Sequence, residues 1–298
     1  MAAALARSYL FAPADRERLL RKVFESGADA VVLDLEDAVP APEKARARSL
    51  VQAALGARQG ASGPAVWVRI NGLESEYWRQ DLAVVAPGLT GLRVPKAESA
   101  AELGRLTAAL AEAERQAGLE PGRVRVTLTI ESARGLLAAA EIAELPRVDR
   151  LAFGAADYLA DVGADPAAEA RATLWARSFL VAVSRAAGLA PPIAPVWTGL
   201  EDEEGLRAST LECRQLGFFG RSCIHPRQLA VVHELFTPSA EEIERARHLL
   251  AGHSVAERAG RGVSVAADGQ FVDAAVVRRA RGLIDLAEAL EAAGGGGA

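Results

Sequence analysis

Short apolar runs recur along the chain, and each gives way to a charged residue. Ala30-Val31-Val32-Leu33 runs into Asp34, Glu36 and Asp37, Val66-Trp67-Val68 into Arg69, and Leu92-Arg93-Val94-Pro95 into Lys96. Val126-Thr127-Leu128-Thr129-Ile130 ends on Glu131, and Leu151-Ala152-Phe153-Gly154 leads to Asp157. The runs are short, rich in β-branched residues and followed by stretches of helical period, which predicts buried parallel strands joined by helices. The pattern places strands over 8–12, 30–35, 65–70, 91–95, 125–130, 150–153, 193–196 and 218–224. Helices are predicted over 15–26, 42–58, 77–85, 99–118, 134–144, 166–188 and 202–216, with Asp15 and Ser99 as caps, Pro166 in a first turn, and Pro226 opening one more.

Strand–helix units in this number and spacing predict a (β/α)8 TIM barrel. An open doubly wound sheet announces itself with a glycine-rich first turn, and Ala12-Pro13-Ala14-Asp15 carries no glycine. The barrel is predicted to occupy residues 1–236. Residues 237–298 then form a C-terminal extension or lid: a helix with Ser239 as cap and Glu242 three residues on, a small hairpin over 260–272, a helix over 274–293, and a disordered glycine-rich end. Such an extension folds over a barrel mouth, its own or a neighbour's.

Composition narrows the function. A net charge of -5 over 298 residues gives no electrostatic reason to expect nucleic acid or an anionic membrane as partner. No apolar run approaches the roughly 20 residues that span a bilayer, and the first residues lack the basic region of a signal peptide. Cys213 and Cys223 form no CxxC and predict no disulfide framework, which fits a reduced, cytoplasmic compartment.

In a barrel of parallel strands, all the charged strand ends lie on one rim, where barrel enzymes keep their chemistry. Glu131 and Asp157 converging there make a site for Mg2+, a cation that takes oxygen ligands and keeps several waters. No Cys/His cluster offers a zinc alternative. The competing reading is that each acid caps a following helix or pairs with an arginine such as Arg134. Asp34, Glu36 and Asp37 form an acidic knot that needs a cation or donors nearby, and can orient metal-bound waters. A helix cap accounts for one of the three, not for all. Arg69 can clamp a carboxylate with its fork or neutralise the knot. Lys96 suits a structural pairing or a substrate contact equally, and the carboxylates around it would keep its pKa too high for a Schiff base. Arg16, Arg18, Arg21, Lys22, Lys44, Arg46 and Arg48 read as solvated helix faces or as a site for a phosphate-bearing ligand such as coenzyme A. The four histidines and the absence of a Gly-x-Ser-x-Gly elbow argue against a Ser/His/Asp triad; His225, at a strand end, is the one placed to face the mouth.

Taken together, Arg7-Ser8-Tyr9-Leu10-Phe11-Ala12-Pro13, Leu33-Asp34-Leu35-Glu36-Asp37-Ala38-Val39, Val68-Arg69-Ile70-Asn71, Ile130-Glu131-Ser132-Ala133-Arg134-Gly135, Phe153-Gly154-Ala155-Ala156-Asp157-Tyr158, Ile224-His225-Pro226-Arg227-Gln228 and Asp268-Gly269-Gln270-Phe271-Val272-Asp273 resemble the citrate lyase beta-subunit branch of the HpcH/HpaI aldolase superfamily. The motifs run in register over nearly the whole chain. The resemblance implies a Mg2+-dependent carbon–carbon lyase that acts on a short β-hydroxyacyl thioester, such as citryl-, malyl- or citramalyl-CoA or the acyl-carrier-protein form. The products are an acetyl thioester and a 2-oxo acid: oxaloacetate, glyoxylate or pyruvate.

It further implies Mg2+ held by Glu131 and Asp157, Arg69 on the 2-oxo acid's carboxylate, and the knot behind the metal's waters. Asp273 matches a tail acid that reaches a neighbour's active site and is the proton-transfer candidate; Phe271, Val272 and Ala274 depart from the family's usual Met, Ile and Pro. A homotrimer or hexamer is implied. The alternatives are an acyl-CoA thioesterase, an aldolase working on free 2-oxo acids, and a subunit of a citrate lyase complex that needs partners.

Overall fold

The computed structural model describes residues 5–58, 62–258, 263–265 and 271–294. The predicted tail stretch 268–270 and the chain end 295–298 lie outside them. The chain divides into two compact units, Met1–Leu235 and Phe236–Ala298.

The first unit is built on a seven-stranded, all-parallel sheet. Its strands are β1 (Ser8–Pro13), β2 (Ala30–Asp34), β3 (Ala65–Arg69), β4 (Gly91–Val94), β5 (Arg125–Ile130), β6 (Val148–Phe153) and β7 (Arg221–Cys223), in the order β6-β5-β4-β3-β2-β1-β7. Helices α1 (Glu17–Val23), α2 (Lys44–Gly56), α3 (Trp78–Asp81), α4 (Ala100–Gln116), α5 (Ala133–Ala143), α6 (Ala155–Val162), α7 (Glu169–Ala172), α8 (Leu174–Ala186), α9 (Glu203–Leu216) and α10 (Leu229–Phe236) connect and follow them.

The strands form for the reason the sequence suggests. Ala30, Val31, Val32 and Leu33 are wholly buried, because helices cover one face of the sheet and its own curl encloses the other. The curl is visible in two hydrogen bonds between strands that are not neighbours. Arg93 of β4 reaches Ser222 of β7, and Arg150 of β6 reaches the Tyr9 hydroxyl of β1. Tyr9, Ala30, Val32, Trp67, Ala152 and Ile193 pack into one inner cluster. Gly91 is required beneath it: a Cβ there would lie 2.3 Å from the Trp67 ring and 2.6 Å from the Arg125 carbonyl.

The strand expected over 193–196 is reduced to two bridges, Ala152↔Ile193 and Ala194↔Arg221. Its residues do link β6 to β7: Ile193 N donates to Leu151 O, and Ala194 N to Gly220 O. Pro191, Pro192 and Pro195 flank these two residues and have no N–H to donate, so no longer ladder can form. The helix expected over 166–188 is interrupted. A 3-10 turn at Pro166–Ala168 and α7 precede α8, with Thr173 at the break. Ser99 caps α4 as the sequence predicts, accepting from Glu102 N, whereas α1 starts at Glu17 after Arg16 with no side-chain cap.

The second unit contains α11 (Ala240–Arg258), a two-residue antiparallel pair β8 (Ser264–Val265) and β9 (Phe271–Val272), and α12 (Ala274–Gly294), with α11 packed on α12. Ser239 and Glu242 form the expected reciprocal cap of α11. No helix among the described residues is long and apolar enough to cross a membrane.

Candidate functional site

In-register pairing carries the polar residues to one end of the sheet. Asp34 pairs with Arg69 across β2–β3, and Arg69 with Arg93 across β3–β4. Residues paired in this way point to the same side, so Asp34, Arg69 and Arg93 all face the interior.

Arg69 closes its fork on Asp34, with Nε 2.7 Å from Oδ1 and Nη2 2.6 Å from Oδ2. Its Nη1 stands 2.7 Å from Glu36 Oε2, an ionic contact without hydrogen-bond alignment, so that oxygen is buried with no hydrogen-bond partner. Lys96 Nζ lies 3.4 Å from Glu36 Oε1. Burial works to lower the Arg69 pKa, but its bond to Asp34 and the charges of Asp34, Glu36 and Asp37 outweigh that and hold it above the ordinary value. Burial raises the Glu36 pKa, opposed by Arg69 and reinforced by Asp37. Asp37 itself is exposed. Of the two roles open to Arg69 in the sequence, the geometry displays neutralisation; N–H groups on Nη1 and Nη2 are left over for a ligand.

The knot's backbone is held from below. Buried Lys44 donates to the carbonyls of Leu35 (2.8 Å) and Glu36 (3.0 Å), and Asn71 Nδ2 donates to Leu35 O (3.0 Å). Asp81 accepts from Asn71 Nδ2 at 2.6 Å and pairs with Arg48 at 3.1 Å. Lys44 and Arg48 therefore belong to the scaffold and are not free for a phosphate. Arg46 pairs with Glu43, and Arg21 with Glu17.

Glu131 follows β5 and is 7% exposed. Its Oε1 accepts from Lys96 N at 2.7 Å. Burial, with the charges of Asp157 and Glu36 adding and the Lys96 N–H opposing, pushes its pKa up to about 7. Gly154 makes room for it: a Cβ there would lie 2.5 Å from Glu131 Oε2 and 2.6 Å from its Cβ. Asp157 sits exposed in the first turn of α6, one βα loop away. Neither acid takes the alternative roles. Ser132 caps α5, and Arg134 lies 3.7 Å from Glu98. His225 is turned into local structure, its Nδ1 accepting from Arg227 N.

A cavity of about 360 Å3 opens beside these groups, lined by Glu36, Asp37, Lys44, Asn71, Tyr77 and Lys96 among others. Larger grooves, of about 410 and 470 Å3, lie between α1 and α2 and alongside α4, away from any cluster of acids. Among the described residues no group of three His, Cys, Asp or Glu is placed to hold a metal. What is present is an all-oxygen pair with an orphaned carboxylate oxygen nearby, which fits a hard cation that keeps most of its water and fits neither zinc nor a fully caged ion. Asp273 lies in the second unit, where its Oδ1 caps α12 by accepting from Ala275 N (2.9 Å) and Val276 N (3.0 Å). The Val276 bond above all lowers its pKa.

Sequence reasoning gave Lys44 only as a solvated helix face or a phosphate contact, and assigned no role to Asn71, Asp81, Gly154 or Arg93. Of these last four, Arg93 left a signal, a charge inside an apolar strand rather than at its end.

The curled parallel α/β sheet thus carries carboxylates and a locked guanidinium at the carboxyl ends of its strands, the end at which α/β folds place their ligand sites. The model of the HpcH/HpaI aldolase/citrate lyase family matches residues 7–226, and the chain belongs to that family. It is 37% identical to citrate lyase subunit beta of Leuconostoc mesenteroides subsp. cremoris, over 96% of this chain and 94% of that protein. It is 35% identical to (3S)-malyl-CoA thioesterase of Cereibacter sphaeroides (strain ATCC 17023), over 96% of both chains. The solved protein CitE of Mycobacterium tuberculosis, in complex with magnesium, acetoacetate and coenzyme A, superposes with a TM-score of 0.76 at 30% identity, covering 97% of this chain and 100% of that one.

Proposed function

We propose that this protein is a Mg2+-dependent carbon–carbon lyase of short β-hydroxyacyl thioesters, built on a (β/α)8 barrel completed by the proline-flanked segment at Ile193–Ala194, seventh of its eight strands in chain order. The observation that carries the reading is Glu131, a cradled carboxylate beside Asp157 and within the electrostatic reach of Glu36 and Arg69. The lyase and thioesterase relatives, and the magnesium and coenzyme A bound by CitE, support the same chemistry.

In this reading Glu131 and Asp157 would hold Mg2+, which when bound would supply Lewis acidity and a template for a 2-oxo acid. Asp34 and Glu36 keep Arg69 fixed, so its remaining N–H groups meet the substrate carboxylate without rearrangement. Cleavage removes the proton of the β-hydroxyl. The electrons of the broken C–C bond pass to the thioester as its enolate, which takes up a proton to give the acetyl thioester. Asp273, whose lowered pKa keeps it a carboxylate, is the residue proposed to accept the hydroxyl proton, reaching the site of a neighbouring copy in a trimer or hexamer. The carrier is coenzyme A or an acyl carrier protein, and further subunits can complete the cycle.

The experiment is condensation in reverse. Purified protein, Mg2+ and acetyl-CoA are mixed with glyoxylate, pyruvate or oxaloacetate in turn, and products are read by mass spectrometry. A hydroxyacyl thioester with at least one acceptor is the expected result. No product with any acceptor, alone or with citrate lyase partner subunits, overturns the reading. The malyl-CoA thioesterase relative favours hydrolysis as a second reading, seen in the same assay as free hydroxy acid.

A further inference from the structure

The interior of the sheet contains a cation that the chemistry above leaves unused. Arg93, on β4, is 4% exposed. Its Nε donates to Thr129 Oγ1 at 3.1 Å and its Nη1 to Ser222 Oγ at 2.9 Å, two neutral hydroxyls. Among the described residues no carboxylate approaches it to ion-pair distance, and Nη2 donates to no protein atom. Arg150, buried lower in the same interior, is the contrast: all three of its nitrogens are bonded, to Pro191 O, Phe219 O and the Tyr9 hydroxyl.

Glu131 and Asp34 act on Arg93 only from a distance; what sets it apart from Arg150 is the unfilled Nη2, and a largely buried donor without a partner is costly. Thr129 and Ser222 could be bridged by a neutral side chain. Arg69, the adjacent residue in register, adds to the cost, and the Phe11 ring, 5.3 and 5.0 Å from the two guanidinium carbons, offsets part of it. The two cations differ in one respect. The Arg69 fork is closed on Asp34, whereas the outer edge of Arg93 is open.

We propose that Arg93 is a specificity-determining residue that binds the second carboxylate of a dicarboxylic 2-oxo acid and so favours such substrates over monocarboxylic ones. The proposal rests on the lyase reading for its substrate class. A ligand presenting only hydrogen or methyl toward the interior leaves the cation unmatched, and sites built around a buried polar group reject ligands that lack its partner.

The test is equilibrium binding by calorimetry, with Mg2+ and no thioester, of oxaloacetate and pyruvate to the full-length protein. Wild type is expected to prefer oxaloacetate. Arg93→Met is expected to weaken oxaloacetate binding by about 10–100-fold and to change pyruvate binding by less than about 3-fold. Arg93→Lys, which keeps the charge and loses the fork, falls between them. Equal loss for both ligands means that Arg93 only balances charge or supports the fold, and overturns the proposal. So does unchanged oxaloacetate binding, or no binding of either ligand to wild type. Ser222→Ala removes one tether of the guanidinium and is the second variant should Arg93→Met fail to fold. It is expected to weaken oxaloacetate selectively, and an equal effect on both ligands counts against the proposal. Because binding needs no turnover, an Arg93-dependent preference in a protein that makes no condensation product defeats the lyase reading and leaves this one standing.

Discussion

The backbone N–H of Lys96 donates to Glu131 Oε1 at 2.7 Å from a left-handed conformation, φ 49°. A side chain bearing a Cβ is held there against its preference, at a cost of about 1 kcal/mol. The geometry makes the peptide, not the ammonium, the group that aims Glu131. Lys96→Gly should therefore keep Mg2+ affinity within about 3-fold, since it relieves φ and retains the N–H. Lys96→Val should destabilise by about 1–2 kcal/mol and weaken Mg2+ binding by 10-fold or more, because a β-branched residue resists this conformation. Calorimetric Mg2+ titration with thermal melting separates the two; a Gly variant that loses Mg2+ as fully as the Val variant assigns the role to the ammonium instead.

Glu131 predicts a pH dependence. Its carboxyl, ordinarily near 4.5, is pushed up to about 7 in the folded metal-free protein, chiefly by burial. Between those values the folded state holds a proton that the unfolded chain has released, so metal-free stability falls as pH rises through the window and levels off above about 7. The loss is of order 3 kcal/mol. Glu131→Gln keeps an oxygen for Lys96 N and has no proton to lose, so it should overtake wild type in stability as pH rises from 5 to 8. Mg2+ needs the ionised form, so its affinity for wild type should climb with pH up to about 7 and then flatten. Urea unfolding in a chelator and Mg2+ titration at matched pH check both halves. Parallel stability curves for the two proteins would contradict the shift.

Gly154 is placed by volume and not by backbone freedom, since its φ of -101° suits any residue. The Cβ of Gly154→Ala would press on Glu131 Oε2 and Cβ at 2.5 and 2.6 Å. The expected result is a stability loss of about 1–3 kcal/mol together with loss of Mg2+ binding, as the carboxylate is driven from its cradle. Mg2+ binding at wild-type strength in Gly154→Ala would show that Glu131 is not a ligand in the observed rotamer.

Much of this was legible in the sequence, for a physical reason. Buried parallel strands must be apolar along their length, so Asp34, Arg69, Glu131 and Asp157 stand out where the runs stop. The less legible parts depend on tertiary neighbours. Ile193–Ala194 has strand-like residues, but their prolines limit the ladder to two bridges. Lys44 lay in a run of basic residues indistinguishable from a solvated helix face until folding carried its ammonium under the Leu35 and Glu36 carbonyls. Gly154 had no signal at all, because its need arises from a side chain on the preceding strand. Arg93 was visible as a charge within a strand, yet only the curl of the sheet reveals that it spans from β4 to β7.

The Asp34–Arg69 pair allows a last prediction that separates stability from function. Both partners are largely buried, and Arg69 also stands against Glu36. Removing one partner leaves a buried charge without its match, so Asp34→Leu or Arg69→Met alone should cost about 3–5 kcal/mol. Replacing both with apolar residues of similar volume removes the need for either, and the double variant should be more stable than each single one, with a coupling of about 1–3 kcal/mol. Glu36 would then lose its main counter-charge, and its pKa, already raised by burial, should rise further. The double variant should thus fold and still fail to make product in the condensation assay, if the remaining N–H groups of Arg69 meet the substrate carboxylate as proposed. Denaturant unfolding of the four proteins gives the cycle. Additive losses would show that the two residues are not coupled, and turnover in the folded double variant would remove Arg69 from the site.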